Sequence, residues 1–249
     1  MGAEEQKTAV VTGASSGFGA AIAQVLLRQG YNVIWAARRK ERLEQLAAQH
    51  GGIPKVLDVS SGDSVAEFAR SLPGPVHVLV NNAGGALGLE PIAEFSEEHW
   101  EQMWQSNVLG LARVTKALWP QLRAAPLATV INIGSVAGSE TYPGGSGYTA
   151  CKHAVRAISE TMRLEWLGLP IRVTEIDPGL AETEFSLVRF DGDEERARAV
   201  YAGLEPLHAE DIAEAVRWVL SLPAHVNIDR LVIKPRAQAR VDKIFREDR

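Results

Sequence analysis

Tyr148 and Lys152, in the stretch SGYTACKHA, stand four residues apart, so on a helix they share one face a single turn from each other. A free phenol titrates near pH ~10 and exchanges protons poorly at neutral pH. A fixed ammonium one turn away favours the phenolate and should bring the phenol down towards the working range. Thirteen residues upstream, Ser135 closes the apolar run TVINIGS, where its hydroxyl would point over the same edge of a sheet. Asn107 lies within the helical stretch EHWEQMWQSNVLGL, an awkward place for a short amide without a task there. Tyr-x-x-x-Lys alone is a common spacing. A proton donor, its tuner and an oxygen anchor converging on one edge would suit proton transfer to or from an oxygen.

A second constellation lies near the N-terminus. The stretch VTGASSGFGA carries Gly13, Gly17 and Gly19 around Ser15, Ser16 and Phe18. Gly13 permits a tight turn off a strand. Gly17 and Gly19 let the start of the following helix approach a pyrophosphate with free N–H groups and the positive end of its dipole. The two serines add short donors. A methyltransferase or a flavin protein could present such a loop as well, and the end of the next strand narrows the choice. A site for NAD places Asp or Glu there to accept from the ribose 2′-hydroxyl. Here IWAARRKER offers Ala36 and Ala37, then Arg38 and Arg39, which suits a 2′-phosphate and hence NADP in preference to NADH. Each charge-assisted bond of this kind contributes about 1.5–3 kcal/mol. Arg38 is the first choice for the phosphate, and the rest of RRKER reads as the solvated start of a helix.

The elements that must position these residues follow from the apolar pattern. Seven short runs read as strands: Thr8 to Thr12, Asn32 to Ala36, Lys55 to Val59, Val76 to Asn81, Thr129 to Ser135, Ile171 to Ile176 and Asp229 to Ile233. They are apolar on both faces, as strands buried between helix layers should be, and helical stretches such as AAIAQVLLRQG and KERLEQLAAQH separate them. The alternation predicts an α/β fold: a single doubly wound, Rossmann-type, parallel seven-stranded sheet with helices on both faces. One domain spans 1–235, with a lid at 180–206 breaking the rhythm, and a C-terminal tail occupies 236–249. The tail, with mixed charge and little to bury, would pack on a neighbouring subunit or stay mobile.

Of the 249 residues, 46% are hydrophobic, and 26 Lys and Arg face 31 acids for a net charge of −5. That balance argues against nucleic acid or an anionic membrane as partner. No window approaches the roughly 20 apolar residues of a membrane helix, and the polar MGAEEQK start is no signal peptide. A lone cysteine, Cys151, excludes an internal disulfide and suits the cytoplasm. It reads as a buried filler on the catalytic helix. The six histidines lack ligand spacing, so no metal is expected. Trp100, Met103 and Trp104 read as packing, or as part of a subunit interface.

Taken in order, TGASSGFG, LDV with Asp58, NNAG, Asn107, Ser135, Tyr148, Lys152 and PGLAET make the chain up to about Pro235 resemble the short-chain dehydrogenase/reductases. The resemblance implies a catalytic set in which Tyr148 exchanges the proton with the carbonyl oxygen and Ser135 fixes that oxygen. In it Lys152 holds the nicotinamide ribose and Asn107 anchors a proton relay. It also implies that Asp58 and Val59 face the adenine, that Asn81, Ala83 and Gly84 face the adjoining ribose, and that Pro178, Gly179 and Thr183 hold the nicotinamide end. Family members commonly pair helices into homo-oligomers, dimers or tetramers. NNAGGALGLEP, INIGSVAGSETYPGGSGY and TEFSLVRFDGDEE are similar to the group of NADP-dependent 3-hydroxy acid dehydrogenases, which includes serine dehydrogenases. A carboxylate substrate needs a cation, and Arg189 in the lid is the candidate, against a surface ion pair with Asp191 or Asp193. Phe185 would close the apolar side. Glu140, if it points inward, would repel an acid. Gly85 stands where a larger residue is expected, and GGSG, Gly144 to Gly147, where the group reads Gly-Gly-Asn-Val, changes that should open the pocket. Reduction of bulkier uncharged aldehydes or ketones is therefore the alternative, and a catalytically silent NADPH-binding protein is a third reading.

Overall fold

The computed structural model describes residues 6–247. Its sheet is built from β1 (Thr8–Thr12), β2 (Asn32–Ala37), β3 (Ile53–Val56), β4 (Val78–Asn81), β5 (Ala128–Ile133), β6 (Ile171–Pro178) and β7 (Arg230–Ile233). All neighbours run parallel in the order β3-β2-β1-β4-β5-β6-β7. The helices are α1 (Gly17–Arg28), α2 (Lys40–His50), α3 (Gly62–Arg70), α4 (Glu97–Trp104), α5 (Gly110–Ala117), α6 (Trp119–Ala124), α7 (Ser146–Glu165), α8 (Glu184–Arg189), α9 (Glu194–Ala199) and α10 (Ala209–Ser221). The expected doubly wound sheet is the one observed.

The two-residue period of the strands divides the core into two layers. Ala9 and Val11 of β1 face Ile22 and Leu26 of α1 and Ile212 and Val216 of α10. Val10, between them, faces the other way, towards Phe68 of α3, Val114 of α5 and Leu122 of α6. With both faces covered, the parallel strands are apolar throughout. The order reverses at β1, whose neighbours are β2 and β4. The crevice at the carboxyl ends of these strands is where such folds bind ligands.

Three expectations change in detail. The third strand is Ile53–Val56, earlier than expected. Gly51 and Gly52, both at positive φ, end α2 so abruptly that the strand starts at once. Leu57 and Val59 instead turn under the second core layer. The segment 180–206 holds α8 and α9, and its ends are pinned together. Ala181 and Leu207 form a parallel bridge, with Glu182 N–H donating to Leu207 O (2.8 Å) and Leu207 N–H to Leu180 O (3.0 Å). In the tail, β8 (Gln238–Arg240) and β9 (Lys243–Ile244) form a hairpin held against its own chain. Gln238 drives this docking: its amide is buried, and Oε1 accepts from Leu180 N–H at 2.8 Å. Asp248 and Arg249, the end of the expected tail, lie outside the described residues.

Candidate active site

The turn from β1 to α1 is held open by backbone, with no side-chain cap. Ser16 is the N-cap of α1 but makes no capping bond, and no acid occupies the first turn. The helix N–H groups and dipole therefore face the crevice without a built-in anion. Gly13 (φ +65°) and Gly17 (φ +51°) take left-handed backbone. A Cβ at Gly13 would lie 2.8 Å from Asn82 Nδ2 and 2.9 Å from Ala83 Cα, and one at Gly19 would collide with the Gly13 carbonyl. This cradle fits a dinucleotide pyrophosphate. Phe18 turns back onto the first core layer.

The NNAG turn is tied to the loop by one threonine. Thr12 Oγ1 accepts from the N–H groups of Asn82 and Ala83, both at 3.0 Å, and Asn82 Nδ2 donates to Thr12 O at 2.9 Å. Asn81 departs from expectation: its side-chain amide does not face a ribose. It donates to Thr115 Oγ1 and Asn132 Oδ1, both at 2.9 Å, inside the domain. Its Nδ2 finds these acceptors inside the domain, while its buried Oδ1 has no partner among the described residues. Asp58 accepts from Ser60 N–H (2.9 Å), and Val59 packs into the core beside Gly110.

Of the two arginines after β2, Arg39 is the one tied to the loop. It donates from Nε to Ser15 Oγ (3.0 Å) and from Nη2 to Ser16 Oγ (2.6 Å). Its Nη1 pairs with Glu184 of α8 (3.0 Å), which Arg42 also grips (2.5 Å). Part burial works against ionising Glu184, but bonds from Arg39, Arg42 and Ser16 hold its carboxyl below the usual range. Arg38, the first choice from sequence, is exposed. The contribution of Arg42 was missed because it needs α2 and the 180–206 segment to meet.

The residues expected to react stand beyond the carboxyl end of β5 and in the first turns of α7. Ser135 N-caps a short 3-10 turn, Val136–Gly138, with its Oγ accepting from Ala137 N–H at 3.1 Å. Tyr148 and Lys152 lie on the buried face of α7, and Lys152 Nζ donates to Ile133 O at 2.9 Å. Burial pushes the Tyr148 phenol well above its ordinary value and Tyr142 adds to this, while the Ser135 hydroxyl and Arg189 pull it down. Lys152 is not among the groups that lower it: its ammonium lies 5.7 Å from the Tyr148 ring and donates to the Ile133 carbonyl. Burial brings Lys152 itself down to about 8, against Cys151, Asp177 and Glu175, which hold it up. Burial thus favours the protonated phenol of Tyr148. Asn107 sits in a π-helical turn, Gln105–Leu109, a local widening found often at functional sites. Its Nδ2 donates to Met103 O (2.8 Å) and Gly85 O (2.9 Å), and its buried Oδ1 has no partner among the described residues. Burial pushes Cys151 up to about 11, as suits an unreactive filler.

Segment 180–206 packs over this edge. Thr183 N-caps α8 beside Gly17, and Gly179 is pressed against Gln238. The Phe185 ring meets Tyr148 edge-on at 5.5 Å. Arg189 lies 6.0 Å from the Tyr148 ring and 5.4 Å from that of Tyr142, with Nε donating to Gly88 O at 3.0 Å. It makes no ion pair with Asp191 or Asp193. Glu140 is turned away from the crevice: its carboxylate accepts from Val241 N–H of the tail hairpin (2.6 Å) and approaches Arg240. The glycines of GGSG do not open the pocket either. A Cβ at Gly144, Gly145 or Gly147 would strike Leu89, Tyr142 or Trp100, whereas only open space lies beside Gly85. Among the described residues no group of three or more His, Cys, Asp or Glu is placed to hold a metal ion, and no helix is long and apolar enough to cross a membrane.

Residues 7–193 match the short chain dehydrogenase family model. The chain is 52% identical over 234 residues to an uncharacterized oxidoreductase of Mycobacterium tuberculosis, covering 94% of this chain and 93% of that protein. It is 44% identical over 236 residues to the NADP-dependent 3-hydroxy acid dehydrogenase YdfG of Escherichia coli, covering 92% and 95%. Among solved structures, the closed form of serine dehydrogenase complexed with NADP+ superposes with a TM-score of 0.92 at 41% identity, covering 97% of this chain and 100% of that one.

Proposed function

This chain belongs to the short-chain dehydrogenase family, and from that premise we propose that it interconverts a small 3-hydroxy acid and the matching semialdehyde or keto acid. It is an NADP-dependent oxidoreductase acting on CH–OH groups. Bound NADP(H) supplies or accepts the hydride. The glycine cradle and the start of α1 would hold the pyrophosphate, Arg39 with Ser15 the 2′-phosphate, and Thr183 and Lys152 the nicotinamide end. In the reducing direction the Tyr148 hydroxyl gives its proton to the carbonyl oxygen as Ser135 donates a hydrogen bond to that oxygen. Because burial keeps Tyr148 protonated, the site is poised to give a proton. Lys152 holds positive charge beside the developing phenolate, and Asn107 offers its open Oδ1 to the route that returns the proton.

The observation that carries the substrate reading is Arg189, a guanidinium 6.0 Å from the Tyr148 ring on the segment covering the site. Phe185 supplies an apolar wall, and Glu140, engaged with the tail, brings no opposing charge. A carboxylate bound at Arg189 would place a carbonyl two bonds away against Tyr148. The apolar groove between α5 and α7, lined by Trp119, Ile158, Met162 and Trp166, supports pairing of two copies through these helices. Following NADPH absorbance with serine, 3-hydroxypropionate and malonic semialdehyde against uncharged aldehydes and ketones tests the substrate. We expect turnover confined to the acids and reduced about 100-fold in kcat/KM by Arg189→Ala, the worth of one charge-assisted contact. Turnover only on the uncharged set would refute the 3-hydroxy acid reading.

A further inference from the structure

Two carboxylates lie beneath the Ser135 turn, in the interior of β6, where the family reaction has no evident use for them. Glu175 is 1% and Asp177 0% exposed. Burying one charge is expensive and burying two adjacent ones more so, unless each is paired. Asp177 is paired twice. Its Oδ1 accepts the backbone N–H of Ser135 at 3.0 Å, and its Oδ2 accepts from Arg230 Nε, at the start of β7, at 2.5 Å. The same guanidinium reaches the other end of the turn: Arg230 Nη2 donates to Ser139 Oγ at 2.8 Å. One arginine therefore fastens Ser135, through Asp177, and Ser139 directly.

The backbone makes room for this arrangement. Gly134, between β5 and Ser135, lies against both acids, and a Cβ there would collide with Asp177 Oδ1 and crowd Glu175 Oε1. Glu175 Oε1 is buried without a donor among the described residues. Burial and the neighbouring Asp177 push the Glu175 carboxyl up to about 8, which favours its protonated form beside Asp177. With its N–H held by Asp177 and its Oγ by the Ala137 N–H, Ser135 keeps its hydroxyl proton for the substrate oxygen.

We propose that Asp177, clamped between Arg230 and Glu175, is a positioning residue that sets where the Ser135 hydroxyl stands over the sheet edge. The inference rests on the reading of Ser135 as the anchor of the carbonyl oxygen. A displacement of about 1 Å in such a group lowers turnover by about 100-fold, so Asp177 acts on rate without touching substrate.

A double-mutant cycle tests it: wild type, Asp177→Asn, Ser135→Ala and the double variant. The readouts are kcat, the KM of the carbonyl substrate, and NADPH affinity by fluorescence. Asp177→Asn is expected to lower kcat by at least about ten-fold with NADPH affinity within about two-fold. In the Ser135→Ala background the same change should lower kcat by less than about two-fold, because the group it positions is gone. Equal losses in both backgrounds overturn the inference and leave the role of Ser135 intact. A Ser135→Ala enzyme with undiminished kcat overturns the underlying reading, and the inference with it. Should Asp177→Asn fail to fold, Arg230→Met breaks the clamp from its more exposed end, and the same non-additivity is required of it. Glu175→Gln, whose amide can donate as the protonated acid does, should keep kcat within about three-fold, and a ten-fold loss excludes the shared-proton arrangement.

Discussion

Arg39→Ala should weaken NADPH binding and leave NADH binding nearly unchanged. The size of the effect follows from what Arg39 already touches. A charge-assisted bond to a phosphate contributes about 1.5–3 kcal/mol. Arg39, however, has an ion pair with Glu184 at 3.0 Å, with the arginine side chain 46% exposed, and such a pair is worth up to about 1 kcal/mol. Exchanging the carboxylate for a phosphate thus gains about 0.5–2 kcal/mol, a factor of roughly 2–30 in affinity. Fluorescence titration of both nucleotides against wild type, Arg39→Ala and Arg38→Ala measures it. We expect the Arg39 variant to lose roughly 2–30-fold for NADPH and less than about two-fold for NADH, and Arg38, which is not bonded to the loop serines, to matter less for both. Equal losses for the two nucleotides, or a larger effect at Arg38, would refute the assignment of the 2′-phosphate to the arginine bonded to Ser15 and Ser16.

Tyr148→Phe should lower kcat by about 10²–10⁴-fold, the usual contribution of a positioned acid, while NADPH affinity stays within about three-fold because the ring contact with Phe185 survives; retention of more than a tenth of wild-type turnover would remove the tyrosine from the proton step. Glu175→Gln should alter how stability depends on pH. The native carboxyl titrates at about 8 and the unfolded one near 4.5, so the native state binds the extra proton and wild-type stability falls as pH rises between those values. The melting temperature of Glu175→Gln should therefore gain on wild type from pH 5 to pH 8, and parallel curves would show that Glu175 ionises normally.

How much of this was legible beforehand depended on the range of the interaction concerned. The seven strands could be read because a parallel sheet between two helix layers demands unbroken apolar runs, a local property of each segment. The glycine loop, Ser135, Tyr148 and Lys152 could be read for a similar reason. Positive φ, close backbone approach and one-turn helical spacing each constrain residue type at fixed positions in a short stretch. What the chain does to the chemistry of those groups was not local. Tyr148 was expected to be drawn down by Lys152, but desolvation by packing from several elements pushes it up, and the ammonium turns to the Ile133 carbonyl. Gly147 reads as open space in one dimension and is filled in three, by Trp100 and Met103 of α4.

The sequence by itself determined the fold class, the dinucleotide loop and the order of the reacting residues, because these are written in periodicity and in residue types that few other residues can replace. Only the tertiary structure decided which arginine meets the loop serines, where Glu140 and Asn81 point, and that Arg189 stands beside Tyr148. It alone joined Arg230 to Asp177, 53 positions away in the chain. The physical reason is the same in each case. Side-chain direction, burial and charge pairing across distant elements are set by how strands and helices pack, and no short window of sequence contains both partners.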